Sequence, residues 1–212
     1  MMRKCITVLL GIFLVLAAWG QNATKRVGPE ADAILKKIEA ASAGVQHLSS
    51  DFIQTRQMSL LGESLVSEGK MYLDGGKLRW EYLRPYSYVF IMNGQKVLLK
   101  GNGAANVMDV KSNRVFSAIT RVMMDSVTGR GLSGSGDFRT EIWESADGQV
   151  EAYLVPQRRD LRQFFSKVVL HFDKGWNVCR VDLLEEGGDR TEIVLKNTRY
   201  DREVDPALFA VD

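Results

Sequence analysis

From residue 48 onward the apolar positions recur with a period of two. The segments 48–58, 64–73, 77–83, 86–92, 96–100 and 104–110 read as successive strands. In 77–83, Leu78, Trp80 and Tyr82 share one face and Arg79, Glu81 and Leu83 the other, because strand side chains alternate. Met71 and Leu73 before it, with Phe90 and Met92 after it, supply further large apolar side chains. One face is therefore aromatic and apolar, the other mostly charged, and something has to cover the apolar one. Asp74-Gly75-Gly76 and Asn93-Gly94 are hairpin turns, and connections this short predict an antiparallel sheet.

Two stretches have helical spacing instead. After a polar lead-in at 24–28, Pro29 suits a first helical turn, with Glu30 and Asp32 near its positive end. Ile34, Ile38, Ala41, Val45 and Leu48 then form one stripe, predicting an amphipathic helix that ends near Gly44. In 112–127, Val115, Ile119, Val122 and Ser126 form a row with Phe116 and Met123 beside it. The first helix reads the same whether it packs on a sheet or lids a cavity, whereas the second reads first as core filling, with a lid as the alternative. Likewise, the apolar strand face reads as filled core or as a receptacle.

A Gly- and Ser-rich stretch, 129–136, reads as a flexible linker. Strands resume at 138–144, 150–155, 165–172, 176–184 and 191–196, interrupted by a basic loop at 157–162 with Arg158, Arg159 and Arg162. Pro206 and Phe209 close the chain. The expectation is a mainly β (α+β) fold, one large curved antiparallel sheet of about ten or eleven strands with at least two helices.

The first twenty residues change the picture by placing the protein outside the cytoplasm. Arg3 and Lys4 precede an almost wholly apolar run from Ile6 to Ala18, and Ala18-Trp19-Gly20 offers small residues for cleavage after Gly20. Residues 1–20 are thus expected to be a cleaved signal peptide and 21–212 a single domain. Losing Arg3 and Lys4 leaves 26 basic residues against 26 acidic, a net charge of zero, which speaks against a nucleic-acid groove. Cys179 then stands alone, so no internal disulfide is available.

Candidate chemistry is sparse. Gly129-Arg130-Gly131-Leu132-Ser133-Gly134 has the spacing of a dinucleotide loop, but it follows a helix and precedes a strand, the reverse of what pyrophosphate binding needs. His47 and His171 fall in no metal-ligand spacing. A Cys179–His171 nucleophile is conceivable on neighbouring strands, against a simple buried thiol. Neither an active site nor a cofactor or metal site is expected.

Several blocks resemble the LolA family, periplasmic carriers of outer-membrane lipoproteins in Gram-negative bacteria. They are Leu48-Ser49-Ser50-Asp51-Phe52-Ile53-Gln54, Gly69-Lys70-Met71-Tyr72-Leu73, Leu78-Arg79-Trp80-Glu81-Tyr82 with Pro85, Asn93-Gly94-Gln95-Lys96, and Asp205-Pro206 with Phe209. The resemblance implies an incomplete antiparallel β-barrel whose helices form a lid over an apolar cavity for acyl chains. Met71, Leu73, Leu78, Trp80, Tyr82, Phe90 and Met92 would line the cavity, and Ile34, Ile38, Phe116, Ile119 and Met123 would belong to the lid. It further implies a monomeric, non-enzymatic carrier that takes lipoproteins from an inner-membrane ABC release complex to an outer-membrane acceptor. The mature N-terminus has no lipid-modifiable cysteine, which suits the soluble carrier rather than the anchored receptor of similar fold.

Two departures stand out. Asp74-Gly75-Gly76 replaces the family's Arg-Pro before the tryptophan strand, so the lid-holding role of that arginine is not transferred to Arg79. The segment after Lys96 reads Leu98-Leu99-Lys100-Gly101-Asn102 where an aromatic-Asp/Asn-Pro is common. A half-barrel carrier or sensor of another envelope lipid, or a protein-binding adaptor, is the alternative reading.

Overall fold

The computed structural model describes residues 23–101, 103–109, 122, 124–125, 128–132, 136–200 and 202–211. The expected signal peptide and most of the second helix, including Phe116, Ile119 and Met123, lie outside them. In chain order the elements are β1 (Thr24–Arg26), α1 (Pro29–Ala43), β2 (His47–Met58), β3 (Glu63–Asp74), β4 (Lys77–Arg84), β5 (Tyr88–Asn93), β6 (Lys96–Gly101) and β7 (Ala104–Asp109). They continue with β8 (Phe138–Glu144), β9 (Val150–Pro156), a one-turn α2 (Arg159–Arg162), β10 (Lys167–Phe172), β11 (Val178–Leu184), β12 (Arg190–Tyr200) and a 3-10 helix at Pro206–Phe209.

These strands form a single sheet in the order β1-β8-β9-β10-β11-β12-β2-β3-β4-β5-β6-β7. Every neighbouring pair is antiparallel, as the short turns dictate. β12 returns beside β2, with Leu195 opposite Phe52, and so joins the two halves of the strand series. At the ends of the order, β1 and β7 each pair on one side only among the described residues, so the sheet curls without closing.

Twelve strands exceed the expected ten or eleven. The additional one is β1, which sits in the polar lead-in and pairs with β8; Lys25 reaches Glu141 at 2.8 Å and Arg26 reaches Glu144 at 2.9 Å. Three polar residues carry no period-two signal, so only the partner strand defines them as β. The basic loop contains α2, whose Leu161 is fully buried. Residues 129–132 are also not a free linker. Leu132 is buried in the core, and Arg130 donates to the carbonyls of Ser42 and Val45 at the end of α1. An arginine there satisfies carbonyls that a helix terminus leaves without partners.

The curled sheet has two apolar layers. The inner one takes alternate residues from every strand between β2 and β6 and between β8 and β12, together with Ile34 and Ile38 of α1. Of the second helix, Val122, Met124, Asp125 and Thr128 are helical, with Val122 buried in this layer and Met124 packed against it. The smaller layer is outside, where Phe209 of the 3-10 helix is fully buried against Ile91 and Leu98.

Candidate functional site

The register of β3, β4 and β5 brings the large side chains of the inner face into contact. Met71 lies opposite Trp80, Leu73 opposite Leu78, Leu78 opposite Met92, and Trp80 opposite Phe90. All seven side chains proposed from the sequence are on this face. Met71, Leu73 and Leu78 are fully buried, Trp80, Phe90 and Met92 are buried, and Tyr82 is partly buried against the same cluster. Ile34 and Ile38 of α1 belong to the same buried cluster, and the helix itself lies against β8.

Phe52 on β2 is the residue that pattern reading passed over. Its ring centroid is 4.4 Å from that of Trp80 and 5.3 Å from that of Tyr82, which it meets edge-on. Tyr82 in turn is 6.5 Å from Tyr88 near the end of the sheet. Room for Phe52 comes from Gly69, directly opposite it, where a Cβ would stand 2.4 Å from the ring and 2.1 Å from the Glu81 carbonyl. The sequence signal was present in the period-two series Leu48, Ser50, Phe52 and in the lone glycine opening Gly69-Lys70-Met71, but the pairing that joins them is tertiary.

Polar groups on this face are few and specific. The Tyr82 hydroxyl donates to Oε1 of Gln54 at 2.9 Å, and burial pushes the Tyr82 phenol above its ordinary pKa. The indole N–H of Trp80 is buried with no partner within hydrogen-bonding geometry among the described residues. Such a face can take up apolar material and offers little to a charged ligand.

Charged residues of β4 point the other way. Arg79 is 2.9 Å from Glu81 and donates to the Leu208 carbonyl at 3.2 Å, while Asn93 donates to the Phe209 carbonyl at 3.0 Å. Arg79 therefore fastens the C-terminal segment to the outside of the sheet. Beside that segment lies an open outer cleft of about 790 Å3 that includes Arg79, Glu81, Tyr86, Val89, Ile91 and Lys100. The Asp74-Gly75-Gly76 turn holds the chain leaving α1: the Gly75 N–H donates to the Gln46 carbonyl at 2.8 Å, and Asp74 is 2.8 Å from Lys77. The hydrogen bond from Lys77 lowers the pKa of Asp74, against the opposing effect of burial.

The Cys179–His171 pair is not arranged for nucleophilic chemistry. The thiol approaches the backbone carbonyl of His171 at 3.4 Å, whereas the imidazole lies between Glu151 at 3.1 Å and Asp182 at 2.8 Å. Burial also raises the thiol pKa, away from the reactive thiolate.

An open antiparallel barrel wrapping an aromatic and aliphatic face, with a helix on the inner side of the sheet, defines a class of apolar-enclosing half-barrels. The family model described as Outer membrane lipoprotein carrier protein LolA matches residues 43–212, and the chain belongs to that family. An outer-membrane lipoprotein carrier protein from Methylococcus capsulatus is 24% identical over 199 residues, spanning 93% of this chain and 90% of the relative. Among solved structures, MucB superposes with a TM-score of 0.51 at 12% identity, over 87% of this chain and 64% of that one. A LolA superfamily protein from Nitrosomonas europaea gives a TM-score of 0.46 at 11% identity, over 85% and 97%.

Proposed function

We propose that the protein is a periplasmic carrier that shields the acyl chains of lipoproteins on its inner face and ferries them from the inner to the outer membrane. Membership of the LolA family supports this reading, and one observation carries it. Trp80, Phe52, Tyr82, Phe90 and Met92 form a continuous apolar surface inside a sheet that stays open between β1 and β7. Each buried methylene contributes roughly 0.8 kcal/mol, so one long acyl chain gains on the order of 10 kcal/mol by leaving water. A carrier has to shield such a chain and yet release it. A covering helix that separates from the sheet answers both needs better than a closed barrel.

In this reading the chain is exported with residues 1–20 removed, and residues 21–212 act as a single monomeric unit. Met71, Leu73, Leu78, Trp80, Tyr82, Phe90 and Met92 meet the chains, while Ile34, Ile38, Phe116, Ile119 and Met123 move with the lid. Loading is driven by an inner-membrane ABC release complex, and an outer-membrane acceptor receives the cargo. Protein purified from its native envelope and extracted for mass spectrometry is expected to yield acylated peptides or diacylglyceryl species. A photo-crosslinker at position 80 is expected to capture the same material in cells. Crosslinking that captures no lipid from either Trp80 or Met123 positions would overturn the reading.

A further inference from the structure

Large apolar side chains left in water are concentrated at one end of the sheet. Leu60 and Leu61, at the tip of the β2–β3 hairpin, are 95% and 64% exposed, and Tyr86 in the β4–β5 connection is 71% exposed. Leu65, Leu83 and Phe164 are exposed on the adjoining strand ends and on the approach to β10. The antiparallel register puts the ends of β2 and β4 and the beginnings of β3, β5 and β10 at this same end. Turns at the opposite end read Asp74-Gly75-Gly76, Asn93-Gly94, Asp147-Gly148 and Asp173-Lys174-Gly175-Trp176-Asn177, and their one large apolar side chain, Trp176, is half-buried against the core under Lys37 rather than left in water. Folding accounts for neither the asymmetry nor a leucine pair on a hairpin tip.

We propose that this end docks on a phospholipid bilayer, with Leu60, Leu61 and Tyr86 entering the interface and Arg159 and Arg162 meeting anionic headgroups. The shape of the patch selects a bilayer. Its apolar groups stand on separate protruding tips, which a fluid interface accommodates singly, whereas a protein partner would need a matching hole for each. Leucine with tyrosine suits the interfacial zone, where an apolar body is buried and a hydroxyl stays wet. Charge agrees with this. Arg159 and Arg162 are exposed just before Phe164, while Arg158 is engaged by Asp137 and Asp160. Glu185 and Asp189 of the neighbouring β11–β12 turn both face Arg56 at 3.4 Å.

A run of aromatic contacts leads from the docked end along the inner face. Tyr88, at this end of β5, continues through Tyr82 to Phe52 and Trp80, with centroids 6.5, 5.3 and 4.4 Å apart in turn. A chain leaving the bilayer here would meet aromatic surface throughout. That route rests on the carrier reading, whereas the docking itself does not.

Flotation of the purified protein with phosphatidylethanolamine vesicles, with and without phosphatidylglycerol, tests the proposal. The protein is expected to float with both, and more strongly with phosphatidylglycerol, each arginine at the surface adding about fivefold to partitioning. Leu60→Ser/Leu61→Ser/Tyr86→Ser is expected to lower binding to both vesicles about tenfold or more. Arg159→Gln/Arg162→Gln should remove only the preference for phosphatidylglycerol. The side chains are exposed, so circular dichroism of both variants should match the parent. Failure of the parent to float at low ionic strength would overturn the proposal, as would undiminished binding by the triple variant. Binding only to native membranes, abolished by protease treatment of those membranes, would assign the end to a protein and likewise overturn it. Binding of a fluorescent diacylated peptide in the absence of vesicles is read separately. If that is absent while the vesicle results hold, the carrier reading fails and the docking stands.

Discussion

Gly69 illustrates how one residue type is dictated by a partner far along the chain. Phe52 lies opposite it and the Phe52 ring occupies the space a Cβ would take, while the Glu81 carbonyl closes the other side. Gly69→Ala is expected to cost on the order of 2–3 kcal/mol, because a backbone strand has to shift, and thermal unfolding reads this directly. Asp182 is a second such position. Burial alone would raise its pKa, but hydrogen bonds from His171 and Arg180 and their charges outweigh it and hold the carboxyl at about 2. A carboxylate depressed in the folded state stabilises the fold above its unfolded pKa and loses that contribution as pH falls through the folded value. Stability is therefore expected to drop between about pH 4 and pH 2, and the drop should be smaller in Asp182→Asn when denaturant midpoints are compared across that window. Cys179 makes a weak contact with a carbonyl and carries a raised pKa, so Cys179→Ser is expected to leave cargo binding unchanged.

At the scale of elements, the C-terminal segment packs outside β4 and β5, whereas α1 lies on the inner side of the sheet against β8. The 3-10 helix is held outside by Phe209 burial, by Arg79 and Asn93 donating to its carbonyls, and by Lys77 over the Phe209 ring at 5.7 Å. Phe209→Ala is expected to cost about 3–5 kcal/mol, as for other buried aromatics, whereas Asn93→Ala should cost nearer 1 kcal/mol. Unfolding of the two variants by urea distinguishes these magnitudes. On the inner side, α1 presents Ile34 and Ile38, and Arg130 ties its end to residues that follow the second helix. This tie is absent from the sequence pattern because Gly129-Arg130-Gly131 reads only as punctuation.

For the molecule as a whole, β1 and β7 do not pair with each other among the described residues, and this separates the fold from a closed barrel. A carrier whose loss halts cargo transfer and an adaptor whose loss alters signalling are told apart by depletion. Depletion is expected to leave lipoproteins in the inner membrane, measured by fractionating the envelope. Unchanged lipoprotein distribution would move the function to the sensor or adaptor class.

Period-two alternation already determined most strands, and Leu78, Trp80 and Tyr82 declared their shared face, because alternation is local geometry. The amphipathic stripe of α1 was equally legible, since Ile34 and Ile38 are one turn apart. Tertiary structure alone decided that Thr24–Arg26 is a strand, that Leu132 is core, and that the Phe52 ring rests on Gly69. Each depends on a partner distant in sequence, supplied by sheet register and curvature rather than by neighbours in the chain. The orientation of Arg79 could be read from alternation, but its hold on the Leu208 carbonyl appears only when the chain's last turn folds back across the sheet.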